Sequence, residues 1–309
     1  MRYVWPAVVC AVIVWQFHCR HSARDTERPH RPEVPSSGPV EASPDGDEPV
    51  ADRSAPAGPL RIGTWNLRRL GHGKKRMDWV AGVVEQSFDV VALQEVMNPE
   101  GVHQLVARLP GWRAEVSSKA VGTDHYEEWY AVLYRTGRVS TSRSFIMGDR
   151  KDALVREPFV VCLQAGAADF CLVNVHIIFG KRAAARDEEI HVLGEKVQRL
   201  RSRGPEKDWI VLGDFNRSPR ARGWGKLRAS GWDFTLPERT PTTLGKRGYA
   251  SPYDHILIDG RYTSEISSDA RRIDILQEPC AGDLETCRTT LSDHAPLVVE
   301  FAVDGEDDD

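Results

Sequence analysis

Apolar residues gather in an uncharged run at positions 4–17, almost vanish between 24 and 58, and return from position 60 in short blocks divided by polar segments. These later blocks alternate between two periods. Positions 61–65 and 88–93 predict strands, the second so apolar over 90–93 that both of its faces must be covered. Positions 74–86 and 102–109 predict helices. A strand-rich stretch follows, with 112–116, 129–134 and a hairpin across 159–175 turning at Ala165-Gly166-Ala167-Ala168. In 183–203, Ile190, Leu193, Val197 and Leu200 recur at helical spacing, with Gly194 a local weakness. Strands at 209–212, 253–258 and 296–301 close the set. Hairpins embedded in an alternating order favour an α/β fold with mixed sheets over a doubly wound parallel sheet.

The first 58 residues require a different reading. The run at 4–17 follows Arg2, matches the apolar stretch of a secretory leader and is short for a spanning helix. We therefore expect a signal peptide or N-terminal anchor over 1–23. His21-Ser22-Ala23 is a rough cleavage site and Cys19 lies in poor surroundings for lipidation, so cleavage and a retained membrane tether both stay open. Positions 24–58, rich in Pro, Ser, Asp, Glu and Arg, hold too little apolar surface to offset the entropy of ordering and read as a linker. One folded domain is expected over 59–303, then a solvated acidic tail over 304–309. The chain has 309 residues, 41% of them hydrophobic, enough for one large core with tails. It shows no internal repeat and is expected to be monomeric.

Cysteine usage agrees with export to a secreted or cell-envelope location. Beyond Cys10 and Cys19, four cysteines remain. If the 165–168 stretch turns a hairpin, Cys162 and Cys171 fall opposite each other at a separation a disulfide can bridge. Cys280 and Cys287 could close a short loop. The absence of any Cys-x-x-Cys argues against a zinc site.

Four segments carry the candidate chemistry. They are Thr64-Trp65-Asn66, Gln94-Glu95, Gly213-Asp214-Phe215-Asn216 and Ser292-Asp293-His294, each beside a predicted strand. Singly each has a plain structural reading, such as a solvent-facing strand end or an Asx turn. Together they supply what cleaving a phosphodiester requires: charge neutralisation at the phosphoryl oxygens, activation of water in line, and a proton for the leaving oxygen. Mg²⁺ prefers one or two carboxylates plus waters. Glu95 is the first candidate ligand, and Asn66 and Asp293 could complete or orient the shell. Asp214 and Asn216 suit a second ion or a nonbridging oxygen. His176 and His294 can divide the acid and base roles near neutral pH.

These residues resemble the endonuclease/exonuclease/phosphatase superfamily and, within it, its deoxyribonuclease I-like members. The likeness runs from Arg61 to Phe301. Its most specific parts are Thr64 to Arg68 with Gly71, Gln94-Glu95-Val96, Glu128-Trp129-Tyr130, Val155-Arg156-Glu157-Pro158, Val173-Asn174-Val175-His176, Gly213 to Asn216, Tyr253-Asp254 and Ser292-Asp293-His294. The resemblance implies a four-layered sandwich, two central mixed β-sheets flanked by helices, with the site at one end. It implies Mg²⁺ as cofactor, with Mn²⁺ or Ca²⁺ substituting or assisting. Glu95 would hold the catalytic cation near Asn66 and Asp293. His176 and His294 would form the acid/base pair, oriented by Glu128 and Asp254. Asp214 and Asn216 would face the scissile phosphate or a second ion, Arg156 the phosphate, and Arg68 and Tyr126 the DNA. The chain departs from that pattern at Met97 and His255, where the nuclease has arginines.

Sphingomyelinases and phosphoinositide phosphatases of the superfamily share most of this set, and an inactive binding module is a further alternative. Arg156-Glu157-Pro158 and the Tyr126/Glu128 segment favour DNA. Two basic groups, Lys181, Arg182 and Arg186, then Arg217, Arg220, Arg222, Lys226 and Arg228, could follow a phosphate backbone despite a net charge of -4. A lipid enzyme should display exposed aromatics, for which Trp224 and Trp232 are candidates although a core role suits them better.

Overall fold

Residues 58–149, 151–266 and 268–303 are described by the computed structural model. The expected leader at 1–23, the linker through 57 and the tail at 304–309 lie outside the described residues. Within them, Leu60–Leu70 pairs in parallel with Val90–Val96 and antiparallel with Leu297–Phe301. Tyr126–Arg135 and Trp112–Val116 extend this sheet on one side and Arg271–Arg272 on the other, with Val121–Thr123 branching from Tyr126–Arg135. In the second large sheet, Ala168–His176 runs parallel to Trp209–Asp214. Phe159–Ala165 and Ser140–Ile146 flank it on one side, Asp254–Ile258 and Asp233–Phe234 on the other.

Strand alternation builds the layers. Val90 and Ala92 enter a core shared with Phe159, Val161, Leu172, Leu212 and Val299, between the two sheets. Val91 and Leu93 face the other way, against Val80 and Val84 of the helix Met77–Ser87 and Val102 and Leu105 of the helix Pro99–Val106. The second sheet turns Val160, Val173 and Val211 toward Ile190, Leu193 and Val197 of the helix Ala183–Arg201. The result is the expected four-layered sandwich: helices, mixed sheet, mixed sheet, helices.

Several bounds move for identifiable reasons. The first helix begins at Met77 rather than 74 because Arg76 N donates to Thr290 O and Lys75 Nζ to Leu291 O, holding that segment against the chain before His294. The second begins at Pro99 because the Asn98 side chain caps it, accepting Glu100 N at 2.9 Å with proline in the first turn. Ser140–Ile146, absent from the sequence reading, is a largely polar edge strand. Trp224 and Trp232 are buried. The hairpin pairs Cys162 with Cys171 across the strands, and disulfides join Cys162 to Cys171 and Cys280 to Cys287.

Asp89 marks a stability hot spot away from the site. Its fully buried carboxylate meets Arg61 Nε at 3.2 Å, Arg138 Nη1 at 3.0 Å and Arg135 Nε at 3.3 Å. Burial alone would raise its pKa, but the hydrogen bonds and charge of Arg61, with Arg138, hold it below the ordinary value. The stabilisation is therefore present above the unfolded aspartate range, near about pH 4, and is lost as pH falls through the folded pKa. Removing one partner of a buried ion pair costs about 3–5 kcal/mol. We expect a loss of that order for Asp89→Asn in urea unfolding at neutral pH; a change below about 1 kcal/mol, the level of a surface pair, would show the cluster to be energetically superficial.

Candidate active site

At one end of the packed sheets, irregular backbone aims the functional side chains. The pairing of Leu60–Leu70 with Val90–Val96 shifts register between Asn66 and Leu70, and that of Val90–Val96 with Tyr126–Arg135 between Leu93 and Val96. Such bulges re-aim side chains. Arg68, Arg69, Glu95 and Asn216 all have positive φ, a conformation that costs free energy in non-glycine residues. All four line one cleft of about 770 Å³, with Tyr126, Arg156, His176, Asp214, Asp293 and His294. Strained backbone concentrated at a single cleft points to function there.

Asp214, at the end of Trp209–Asp214, is the centre. His176 Nε2 lies 3.5 Å and His294 Nε2 3.6 Å from its Oδ2. Each imidazole is fixed from behind: His176 Nδ1 lies 2.8 and 2.9 Å from the Glu128 carboxylate oxygens, and His294 Nδ1 2.9 and 3.0 Å from those of Asp254. With Nδ1 donating to a carboxylate, the tautomer is set and Nε2 is turned inward. Thr242 Oγ1 donates to Asp254 at 2.6 Å, and Tyr130 Oη accepts His176 N at 3.0 Å. Burial disfavours charge on His176, but Glu128's charge and hydrogen bond outweigh it, so the pKa is raised. His294 rises well above its ordinary value against the same burial, through Asp254, Asp214 and Asp293. Burial, reinforced by Asp254, pushes Asp214 up to about 6, although both histidines pull it down.

Asn66 links the carboxylates. Its Nδ2 donates to Glu95 Oε1 and to Asp214 Oδ2, both at 3.1 Å, while its Oδ1 accepts Arg68 N at 2.8 Å. Burial would raise the pKa of Glu95, but His176, Asn66, His294 and Tyr126 lower it overall, keeping it ionised. Arg68 Nε stands 3.5 Å from Asp293, and its guanidinium also donates to Arg288 O, so part of the capacity expected to face a nucleic acid is used internally. Asn216 N donates to Asp214 Oδ1 at 2.8 Å, forming an Asx turn, and Asn216 Nδ2 donates to Ile177 O at 2.9 Å. Arg156 lies 3.5 Å from Glu128 and over the Tyr126 ring, yet its buried Nε and Nη1 have no hydrogen-bond partner.

Below the site a polar plug crosses the sheets. Gln94 Nε2 donates to Thr64 Oγ1 at 2.9 Å and Asn174 Oδ1 at 2.7 Å, and Asn174 Nδ2 donates to Leu93 O at 3.0 Å. These bonds hold Glu95 and His176 in relative register. Three contributors carry no local sequence signal: Thr242, Lys75 and Glu189. Burial, then Arg68, lower the Lys75 pKa to about 8, against the pull of Asp293 and Glu95. Glu189 accepts Val155 N at 2.7 Å and Ile178 N at 2.9 Å, clipping two site segments to the helix Ala183–Arg201. In sequence it looks like one more charged residue of a charged helix.

Could this set hold a divalent cation? Asp214, Asp254 and His294 offer atoms within 4.8 Å of one another. Asp254, however, is already engaged by Thr242 Oγ1 and His294 Nδ1. Hard oxygens fit Mg²⁺ better; Glu95 supplies them beside Asn66, and the Asp293 carboxylate lines the same cleft. Oxygen donors of this kind suit a hard divalent cation.

The sequence matches the Endonuclease/Exonuclease/phosphatase family over residues 63–294. The chain belongs to that family. A deoxyribonuclease of Thioalkalivibrio sp. is 32% identical over 261 residues, covering 80% of this chain and 72% of that protein. Deoxyribonuclease-1-like 2 of Mus musculus is 27% identical over 264 residues, covering 78% and 91%. Among solved structures, D. rerio TDP2 complexed with single strand DNA product superposes with a TM-score of 0.60 at 18% identity, covering 79% of this chain and 99% of that one. A Bacteroides thetaiotaomicron family protein gives 0.57 at 19%, covering 81% and 97%. These structural likenesses extend the family's fold to this chain.

The basic groups fare differently from the expectation. Arg217 is paired bidentately with Asp187, Arg220 and Arg228 with Glu238, and Lys226 approaches Glu195. Much of the second group's charge is thus balanced within the protein. Lys181 and Arg182, beside the cleft-lining Phe179, are exposed.

Proposed function

We propose that this family member is a secreted or envelope-tethered, Mg²⁺-dependent endonuclease that hydrolyses DNA phosphodiesters by in-line attack of water. The supporting observation is the pair of carboxylate-backed imidazoles converging on Asp214, beside a buried arginine with unmet N–H groups. One imidazole takes the proton of the attacking water and the other gives a proton to the leaving oxygen. Arg156 meets a nonbridging oxygen through Nη1, which makes no hydrogen bond within the protein, while Nε stays beside Glu128. Glu95, with Asp293 and Asn66, would hold the cation, and Asp214 and Asn216 would face the phosphate or a second ion. When bound, the ion supplies charge neutralisation at the phosphoryl group. Tyr126, whose hydroxyl is kept protonated by burial and by Glu95 and Glu128, and Arg68 would contact the DNA. The two disulfides and the deoxyribonuclease relatives support an oxidising location.

The test is a side-by-side offer of supercoiled DNA, linear DNA, RNA and sphingomyelin with Mg²⁺. Cleavage of both DNA forms, with internal cuts in the supercoiled one, is expected. Turnover of sphingomyelin alone would transfer the same chemistry to a lipid substrate and reject the nuclease.

A further inference from the structure

Phe179 lines the catalytic cleft, has no part in the proton-transfer set, and is 74% exposed; Tyr262, at 37%, is the other large hydrophobic so exposed among the described residues. A phenyl ring left in water beside a reactive site calls for a partner. The backbone leading to it is anchored three times. Ile177 N donates to Asp214 O at 2.9 Å, Ile177 O accepts Asn216 Nδ2 at 2.9 Å, and Ile178 N donates to Glu189 Oε2 at 2.9 Å. Glu189 also takes Val155 N, so the segments bearing Phe179 and Arg156 are clipped to one carboxylate. The ring is therefore presented from a fixed base, at low ordering cost on binding.

We propose that Phe179 is a specificity residue that stacks on a nucleobase next to the scissile phosphate, favouring strands whose base faces are accessible. The proposal rests on the nucleic-acid reading above. A single ring flanked by Gly180 and the exposed Lys181 and Arg182 suits one planar base with neighbouring phosphates. It offers little apolar area for entering a lipid surface. In an intact duplex both faces of each base are covered by stacking, so the contact should matter most on single strands, frayed ends and opened steps.

The experiment compares wild type, Phe179→Ala and Phe179→Trp in kcat/KM on three substrates: a single-stranded oligodeoxynucleotide, the same strand in a duplex, and the strand with a run of tetrahydrofuran abasic residues. Phe179→Ala should lose about tenfold on the single strand, much less on the duplex, and nothing within the abasic run, while Phe179→Trp retains the wild-type preference. An equal loss on all three, no loss at all, or a tryptophan variant as poor as alanine overturns the stacking role while leaving the nuclease reading intact. Loss of binding to sphingomyelin vesicles with unchanged DNA cleavage overturns it in favour of a membrane contact. If wild type cuts none of the three, the nuclease reading itself fails and stacking falls with it.

Discussion

His294→Ala lowers kcat for DNA hydrolysis by about 10²- to 10⁴-fold, the range of a positioned proton-transfer group, and His176→Ala does the same. Oligonucleotide affinity should change little, because neither imidazole is the main phosphate donor. The expectation follows from symmetry about Asp214: each Nε2 faces the same carboxylate oxygen, and each Nδ1 is held by its own acid. The pH profile distinguishes this arrangement from a merely structural one. In Glu128→Gln the charge that raises the His176 pKa is removed while burial, which lowers it, remains. The limb of the rate profile governed by His176 must then move to lower pH, whether that histidine works as acid or base. Asp254→Asn should move the His294 limb in the same direction. Profiles unchanged in both variants, or wild-type turnover in either alanine variant, would reject the paired acid/base model.

Glu95→Gln should cost more than about 10²-fold, comparable to losing a principal electrostatic contact to the transition state. The amide preserves the shape and can still meet Asn66, so folding and the bulge at Glu95 should survive. What disappears is the charge that would hold the cation. The loss should be deepest at low Mg²⁺ and shrink as Mg²⁺ rises, because weakened ion binding is overcome by mass action. Near-normal turnover at low Mg²⁺ would remove Glu95 from the ligand set.

Much of this was readable from the chain because fully buried strands advertise themselves. Val90 to Leu93 has no polar position, which already implied cover on both faces, and the structure supplies it from the second sheet and the helices. The strand-end residues Asn66, Glu95, His176, Asp214 and His294 were legible as a joint inventory and lie together, whereas Asp254 entered only through the family resemblance. Their aim was not legible. The bulges at Arg68, Arg69 and Glu95 occur in residues that carry no glycine signature, so backbone strain there is visible only in coordinates. Long-range pairing was equally hidden: neither Asp187 nor Glu238 announces in sequence that it will neutralise Arg217, Arg220 and Arg228. Glu189 and Thr242 act through side-chain hydrogen bonds to segments distant in sequence, which no local pattern encodes.

The central claim is that one metal-dependent site, assembled at one end of the packed sheets, cleaves DNA. Conversion of supercoiled plasmid to nicked and linear forms tests it, with the protein first in EDTA and then with excess Mg²⁺ restored. No cleavage is expected in EDTA, full recovery with Mg²⁺, and almost none in a His176→Ala, His294→Ala double variant under either condition. Cleavage that persists undiminished in EDTA, or in the double variant, would contradict it.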